Sequence, residues 1–159
     1  MSELIIRRAE VNDAATIQAF NKAIAWETEQ KQLDDNVLSL GVRAVFSDSA
    51  KGFYTVAERA GELVGQALIT YEFSDWRNGW YWWVQSVYVR TDARRSGVFR
   101  ALFEHLKREA TADASVIGLR LYVERENQRA QETYAALGME EEQYHLFGLY
   151  PLPGRTSAY

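Results

Sequence analysis

A chain of 159 residues with 47% apolar side chains has enough material for one buried core, and its two histidines and absence of cysteine exclude disulfides, a thiol nucleophile and a cysteine- or histidine-rich metal centre. The net charge of -4 argues against a broad nucleic-acid surface, which needs clustered lysine and arginine. No apolar run approaches the roughly 20 residues of a membrane span, and the opening MSELIIRRAEVNDAA lacks the apolar core of a secretory leader. The expectation is a soluble, cytoplasmic, single domain over residues 1–159 with a loose tail at 151–159.

Leu4–Arg8 is predicted as the first strand. Asn12 or Asp13 is placed to cap a helix whose apolar side carries Ala15, Ile17, Phe20 and Ile24. The polar stretch WETEQKQLDD, from Trp26, breaks that pattern. A second helix is predicted from Asp35 to Phe46, with Val37, Leu38, Val42 and Val45 on its apolar side. Phe53–Arg59 and Leu63–Phe73 read as a hairpin about Ala60-Gly61, and SDWRNG as a loop. Trp80–Val89 is apolar on both faces, as a central strand covered on both sides must be. A third helix runs to Ala112, a strand covers Leu119–Val123, and a fourth helix covers Gln128–Leu137 with Gly138 to end it. EEEQYHLFGLY, up to Tyr150, is predicted as a last strand. The order β-α-α-β-β-β-α-β-α-β indicates an α/β fold with a mixed sheet.

Between the long strand and the third helix lies DARRSGVFRALFEHLKREA, Asp92 to Ala110. A helix start offers unpaired N–H groups and about half a positive charge. A glycine there lets a phosphate approach the backbone. Arg94 and Arg95 precede the helix, Ser96 is placed to cap it and Gly97 opens it. The segment is neither a P-loop nor a G-x-G-x-x-G turn. Spacing alone leaves two readings: a pyrophosphate cradle, or a plain strand–turn–helix junction with surface arginines. Phe99, Phe103, Leu106 and Ala110 recur at helical spacing, which puts Phe99 on the core stripe facing the sheet and leaves its N–H free.

SVYVRTDARRSGVFRAL and VERENQRAQETYAALGM, in this order and at this distance, resemble the paired motifs of the Gcn5-related N-acetyltransferase (GNAT) family, whose members move an acetyl group from acetyl-CoA to an amine. The likeness extends from LIIRRAEVNDA to TYAALGMEEEQYHLF. The family's Arg/Gln-x-x-Gly-x-Gly/Ala reads here Arg94-Arg95-Ser96-Gly97-Val98-Phe99, departing at Phe99. The resemblance implies a central mixed, mostly antiparallel sheet, flanked by helices and splayed between its fourth and fifth strands. It implies acetyl-CoA as acetyl donor and no metal. By the same resemblance, the backbone of Val87, Tyr88 and Val89 pairs with the pantetheine arm. Arg94, Arg95, Ser96, Gly97, Val98, Phe99 and Arg100 hold the pyrophosphate. Asn127 bonds the pantetheine, and Tyr134 protonates the leaving thiolate. Read without the family, Asn127 caps the Gln128 helix and Tyr134 shares a core side with Ala130 and Leu137. The family likeness also permits a homodimer.

Without cysteine there is no acetyl-cysteine intermediate, so direct attack by the amine in a ternary complex is expected. Glu27, Glu29, Glu72 and Asp75 are candidate bases. Glu72 leads because it ends a strand before the acceptor-side loop, although an exposed strand-end carboxylate reads the same way. Gln85 cannot ionise and is placed to orient a group or a water. Trp26, Trp76 and Trp80 are placed either to flank a cationic amine, with Glu27, Glu29 and Asp75 supplying charge, or to form core or a dimer surface. Trp82 and Trp83 read as packing. Three functions follow: acetylation of a small-molecule amine, acetylation of a protein N-terminus or lysine, and non-catalytic acyl-CoA binding. Neither nucleic acid nor a membrane is an expected partner.

Overall fold

Five strands with inward-alternating apolar residues assemble into one sheet in the computed structural model, which describes residues 2–159. They are β1 (Leu4–Arg8), β2 (Phe53–Arg59), β3 (Glu62–Ser74), β4 (Gly79–Val89) and β5 (Val116–Arg120), and they lie in that order. The first four pair antiparallel and β5 joins β4 in parallel. Helices α1 (Ala14–Glu29) and α2 (Asp35–Ser47) cover one face, where Ile17 and Val42 meet Tyr54 and Val56. Helix α3 (Val98–Ala112) covers the other, with Val98, Leu102, Leu106 and Ala110 against Ala57, Val64, Ile69 and Trp82. Helix α4 (Gln128–Ala136) lies beside the start of α3, where Tyr134 meets Phe99.

Close seating of α3 depends on Gly65. A Cβ there would come within 2.9 Å of Val98 Cγ1 and 3.1 Å of the Tyr88 carbonyl. Arg7 joins β1 to β2 and to the start of α1. Its guanidinium donates to Glu58 and Asp13, each at 2.9 Å. Arg7 holds the Asp13 carboxyl below its ordinary value, against the opposing effect of burial.

The mixed, mostly antiparallel sheet and its splay are as expected from the sequence, and most element limits agree within a residue or two. Four local features differ. Helix α1 continues through Trp26–Glu29, because glutamate tolerates helix and the Thr28 hydroxyl bonds back to the Ile24 carbonyl. It stops at Gln30, which takes a left-handed φ of 53°. Asp13 does not cap α1 with its side chain; it reaches back to the Glu10 N–H at 2.8 Å, in the reciprocal pair of the 3-10 turn Val11–Asp13 that precedes the helix. Strand β5 lies three residues earlier than predicted: its ladder to β4 ends at Trp83 with Arg120, and Leu121–Val123 swing away. Finally, EEEQYHLFGLY forms no strand; it runs exposed, and the residues beyond it are turn and coil.

β4 is irregular on both sides. Gln66 pairs with Tyr88 and Leu68 with Gln85, so Ser86 and Val87 together face Ala67. That is a β-bulge, and Ser86 sits at φ 48° within it. Fully buried Gln66 anchors it by donating to the Ser86 carbonyl at 3.0 Å and to Asn21 at 2.8 Å. On the β5 side the ladder stops before the bulge, leaving Val84–Val89 without a strand neighbour there among the described residues. The strand therefore forks away from β5 just where its own pleat is broken. Gln66→Met keeps the volume but removes both bonds, and it is expected to lower unfolding free energy by about 1–3 kcal/mol. Urea unfolding measures this; an unchanged midpoint means that the ladder alone holds the bulge.

Candidate active site

The turn into α3 is a concave run of N–H groups. Gly97 takes φ 83°, with nothing within 4 Å of the place a Cβ would occupy. The first bond into the helix comes from Ala101 N–H to the Gly97 carbonyl. The amides of Gly97, Val98, Phe99 and Arg100 thus have no main-chain acceptor among the described residues. Ser96 does not cap the helix: its hydroxyl donates to the Ala93 carbonyl and accepts from Arg59 Nη1 at 3.3 Å. The left-handed Gly97 turns Ser96 away from the helix start, so the cap is backbone only.

Phe99 is off the sheet-facing stripe. That stripe is Val98, Leu102, Leu106 and Ala110, and Phe99 is half-buried beside it. Starting the pattern one residue early rotates Phe99 toward α4, where its ring meets Tyr134 edge-on at 5.6 Å between centroids. The three arginines differ in use. Arg94 donates to the Val89 carbonyl at 2.8 Å and pairs with Glu27 of α1 at 2.8 Å. Arg95 and Arg100 are exposed and carry no ion pair among the described residues.

Across the fork, Asn127 caps α4 by accepting from the Ala130 N–H at 3.1 Å. Tyr134 is half-buried, and burial raises its hydroxyl above the ordinary tyrosine value of 10.0, so the phenol stays protonated well past neutrality. Val87, Tyr88 and Val89 lie on the unpaired stretch of β4.

On the α1 and α2 side of the bulge, Asn21, Ile24, Thr28, Glu29, Leu38 and Ser86 line a cavity of about 270 Å³. A larger depression of about 420 Å³ near Arg7 and Arg90 is lined by charges that already pair with one another. Glu72 is not a free carboxylate. One oxygen accepts from the Trp83 indole N–H at 2.9 Å and the other from Arg120 at 2.8 Å. Both oxygens of this candidate base are therefore engaged by neighbouring side chains. Gln85 donates to the Thr70 hydroxyl in the same row. Asp75 and Trp76 sit at the tip of the β3–β4 hairpin, with Trp76 87% exposed. No ring or ion contact joins them to Trp26, Glu27 or Glu29 among the described residues.

Sequence reading missed Trp83, Arg120 and Gln66. Trp83 is more than packing: it stacks on Tyr122 at 4.4 Å between centroids at the mouth of the fork. Arg120 lies 3.6 Å over the Tyr81 ring, pairs with Glu72 and reaches Glu142 at 3.0 Å. Both Gln66 and Arg120 are lone polar residues inside apolar strands, LVGQALI and GLRLYV, and that was the available signal.

Among the described residues, no helix is long and apolar enough to cross a membrane. A search of curated proteins found no match. Among solved structures, a protein described as a possible acetyltransferase from Clostridium difficile 630 is 44% identical, with a TM-score of 0.86 over 92% of this chain and 96% of that one. AAC(6')-Iy, in complex with the bisubstrate analog CoA-S-monomethyl-acetylneamine, is 17% identical, with a TM-score of 0.78 over 93% of this chain and 98% of that one. Glucosamine-6-phosphate N-acetyltransferase from Arabidopsis thaliana is also 17% identical, with a TM-score of 0.72 over 93% and 99%. The last two likenesses are of fold alone. The family model described as Acetyltransferase (GNAT) family matches residues 13–139, a span that takes in the unpaired helix start, the bulge and α4. With its forked sheet and both motifs inside that span, the chain belongs to the GNAT acetyltransferase family.

Proposed function

We propose that the protein is a cytoplasmic, acetyl-CoA-dependent N-acetyltransferase for a small primary amine, working by direct attack in a ternary complex. The observation that carries this reading is the coincidence of a forked β4–β5 edge with unpaired amides at the start of α3. The bound thioester supplies the acetyl group. The amides of Gly97, Val98, Phe99 and Arg100 bind the pyrophosphate, and Arg95 and Arg100 are free to add charge. Ser96 and Arg94 brace the turn, the first through Ala93 and the second through Val89 and Glu27. The open edge at Val87–Val89 offers main-chain groups to the pantetheine amides, and Asn127, while capping α4, keeps its amide NH2 for the same arm.

Tyr134 holds its proton at neutral pH and delivers it to the leaving sulfur. The amine enters from the α1 side, through the cavity of about 270 Å³ that ends on Ser86, which suits a small acceptor better than a folded protein surface. Glu29, which pairs with Lys31 at 3.5 Å, lines that cavity and is the carboxylate placed on it to receive the amine proton, directly or through water. Glu72 becomes a positioning residue for Trp83 and Arg120. Trp26 and Glu27, on the last turns of α1, flank the entrance, and Gln85 orients the acceptor from β4. Asp75 and Trp76 at the hairpin tip are left without an acceptor role.

An amine panel scored by thiol release tests this reading. Release with small amines and little with peptides is expected. Release with peptides alone makes the protein a protein acetyltransferase, and cofactor binding without any release makes it an acyl-CoA-binding module. Gly97→Asp has room for its side chain but puts a non-glycine residue at φ 83°, a strained backbone, so a melting curve is taken beside the titration. CoA affinity should fall at least about tenfold, some 1.4 kcal/mol. Calorimetric titration checks it, and unchanged affinity removes the pyrophosphate assignment. Tyr134→Phe keeps the ring against Phe99; kcat should fall by roughly 10²-fold with CoA affinity unaltered. Because burial raises the folded phenol above 10.0, the loss of wild-type rate due to Tyr134 should have its midpoint on the alkaline side of that value.

A further inference from the structure

Helix α1, the linker after it, the start of α2 and the bulge of β4 together enclose the cavity of about 270 Å³. Ile24, Ala25, Leu33 and Leu38 give it apolar walls. Its polar side chains are largely spent on the protein itself. The Asn21 carbonyl accepts from Gln66 at 2.8 Å, and the Thr28 hydroxyl donates to the Ile24 carbonyl at 2.7 Å. Ser86 gives its carbonyl to the same Gln66 and presents its hydroxyl to the cavity. Among the described residues, Glu29 is the one ionisable group of the lining, and Lys31 already stands 3.5 Å from it.

Such a lining selects by what it leaves unanswered. Substrate hydroxyls set against Ile24, Leu33 and Leu38 would give up water without gaining a partner. A second ammonium would find no carboxylate beyond the one that takes the amine proton. A substrate carboxylate or phosphate would meet no arginine or lysine on these walls. An apolar body loses nothing there and gains by leaving water. Size agrees: about 270 Å³ holds roughly nine non-hydrogen atoms at the ~30 Å³ of a liquid water. We propose that the acceptor is a small monoamine with an apolar body, an alkylamine or arylalkylamine, and that Leu33 and Leu38 are the residues that set this choice. The inference rests on entry of the acceptor through this cavity, as proposed for the transferase.

Thiol release by the full chain with ethylamine, butylamine, hexylamine and phenethylamine, set against diaminobutane, glucosamine and glycine, tests this. kcat/KM should rise about fourfold per added methylene until the cavity is filled. Phenethylamine should exceed glucosamine and glycine by about a hundredfold. Leu33 lies on the linker, outside the core clusters, so its variants should keep the melting curve. Leu33→Ala should lower kcat/KM for hexylamine about tenfold and spare ethylamine. Leu33→Glu supplies a second carboxylate and should reverse the order of butylamine and diaminobutane. A native preference for diaminobutane, glucosamine or glycine, or a flat response along the alkylamines, overturns this inference and leaves the transferase standing. No release with any amine, while CoA still binds, ends the transferase reading instead. Calorimetric titration with hexylamine then decides the cavity alone: binding that Leu33→Glu abolishes upholds the apolar acceptor site, and no binding overturns it.

Discussion

The ladder between β4 and β5 stops at Trp83 and Arg120, and the candidate roles of the molecule are arranged around that stop. A continuous parallel pair would bury the edge of β4 from Val84 to Val89. Two constraints keep it open. The bulge at Ser86 breaks the pleat from the β3 side, and the buried carboxamide of Gln66 fixes it there. On the far side, Trp83 stacks on Tyr122 and keeps the mouth of the fork filled. The opening is thus braced by buried hydrogen bonds and aromatic packing, not left as slack in the sheet.

Charge pairing divides the arginines by task. Arg7, Arg90 and Arg120 are bound to carboxylates that join strands, turns and helix ends. Arg94 crosses from the α3 turn to Glu27 and so ties the proposed cofactor side to the proposed acceptor side. Arg95 and Arg100, beside the unpaired amides, are left to solvent. In a chain of net charge -4 this leaves local positive potential at the helix start, where it counts for an anionic ligand.

Much of the fold was legible because periodicity is a local property. β2, β3, β4 and α3 appear where alternation or helical spacing placed them. What could not be read was set by tertiary partners. The start of β5 depends on where its parallel ladder with β4 begins and ends. The turning of Phe99 depends on Gly97 fixing the first residue of α3, which rotates the apolar stripe by one position. Glu72 looked like a free strand-end carboxylate because its partner, Arg120, is 48 residues away in the chain. The bond from Arg94 to Glu27 could not be read either, because the two are 67 residues apart. A strand-like pattern at 140–150 was readable, yet the segment takes no place in the sheet.

Phe99 stands where the related motif has a very small residue, and its geometry has a further meaning. Its amide belongs to the unpaired set that opens α3, while its ring supports the phenol of Tyr134 on α4. One residue therefore carries the alignment of two separate helices. A slight roll of α3 about its own axis would move the proposed anchor point and the proposed proton donor together, as parts of one lever. Gly or Ala at this position would uncouple them.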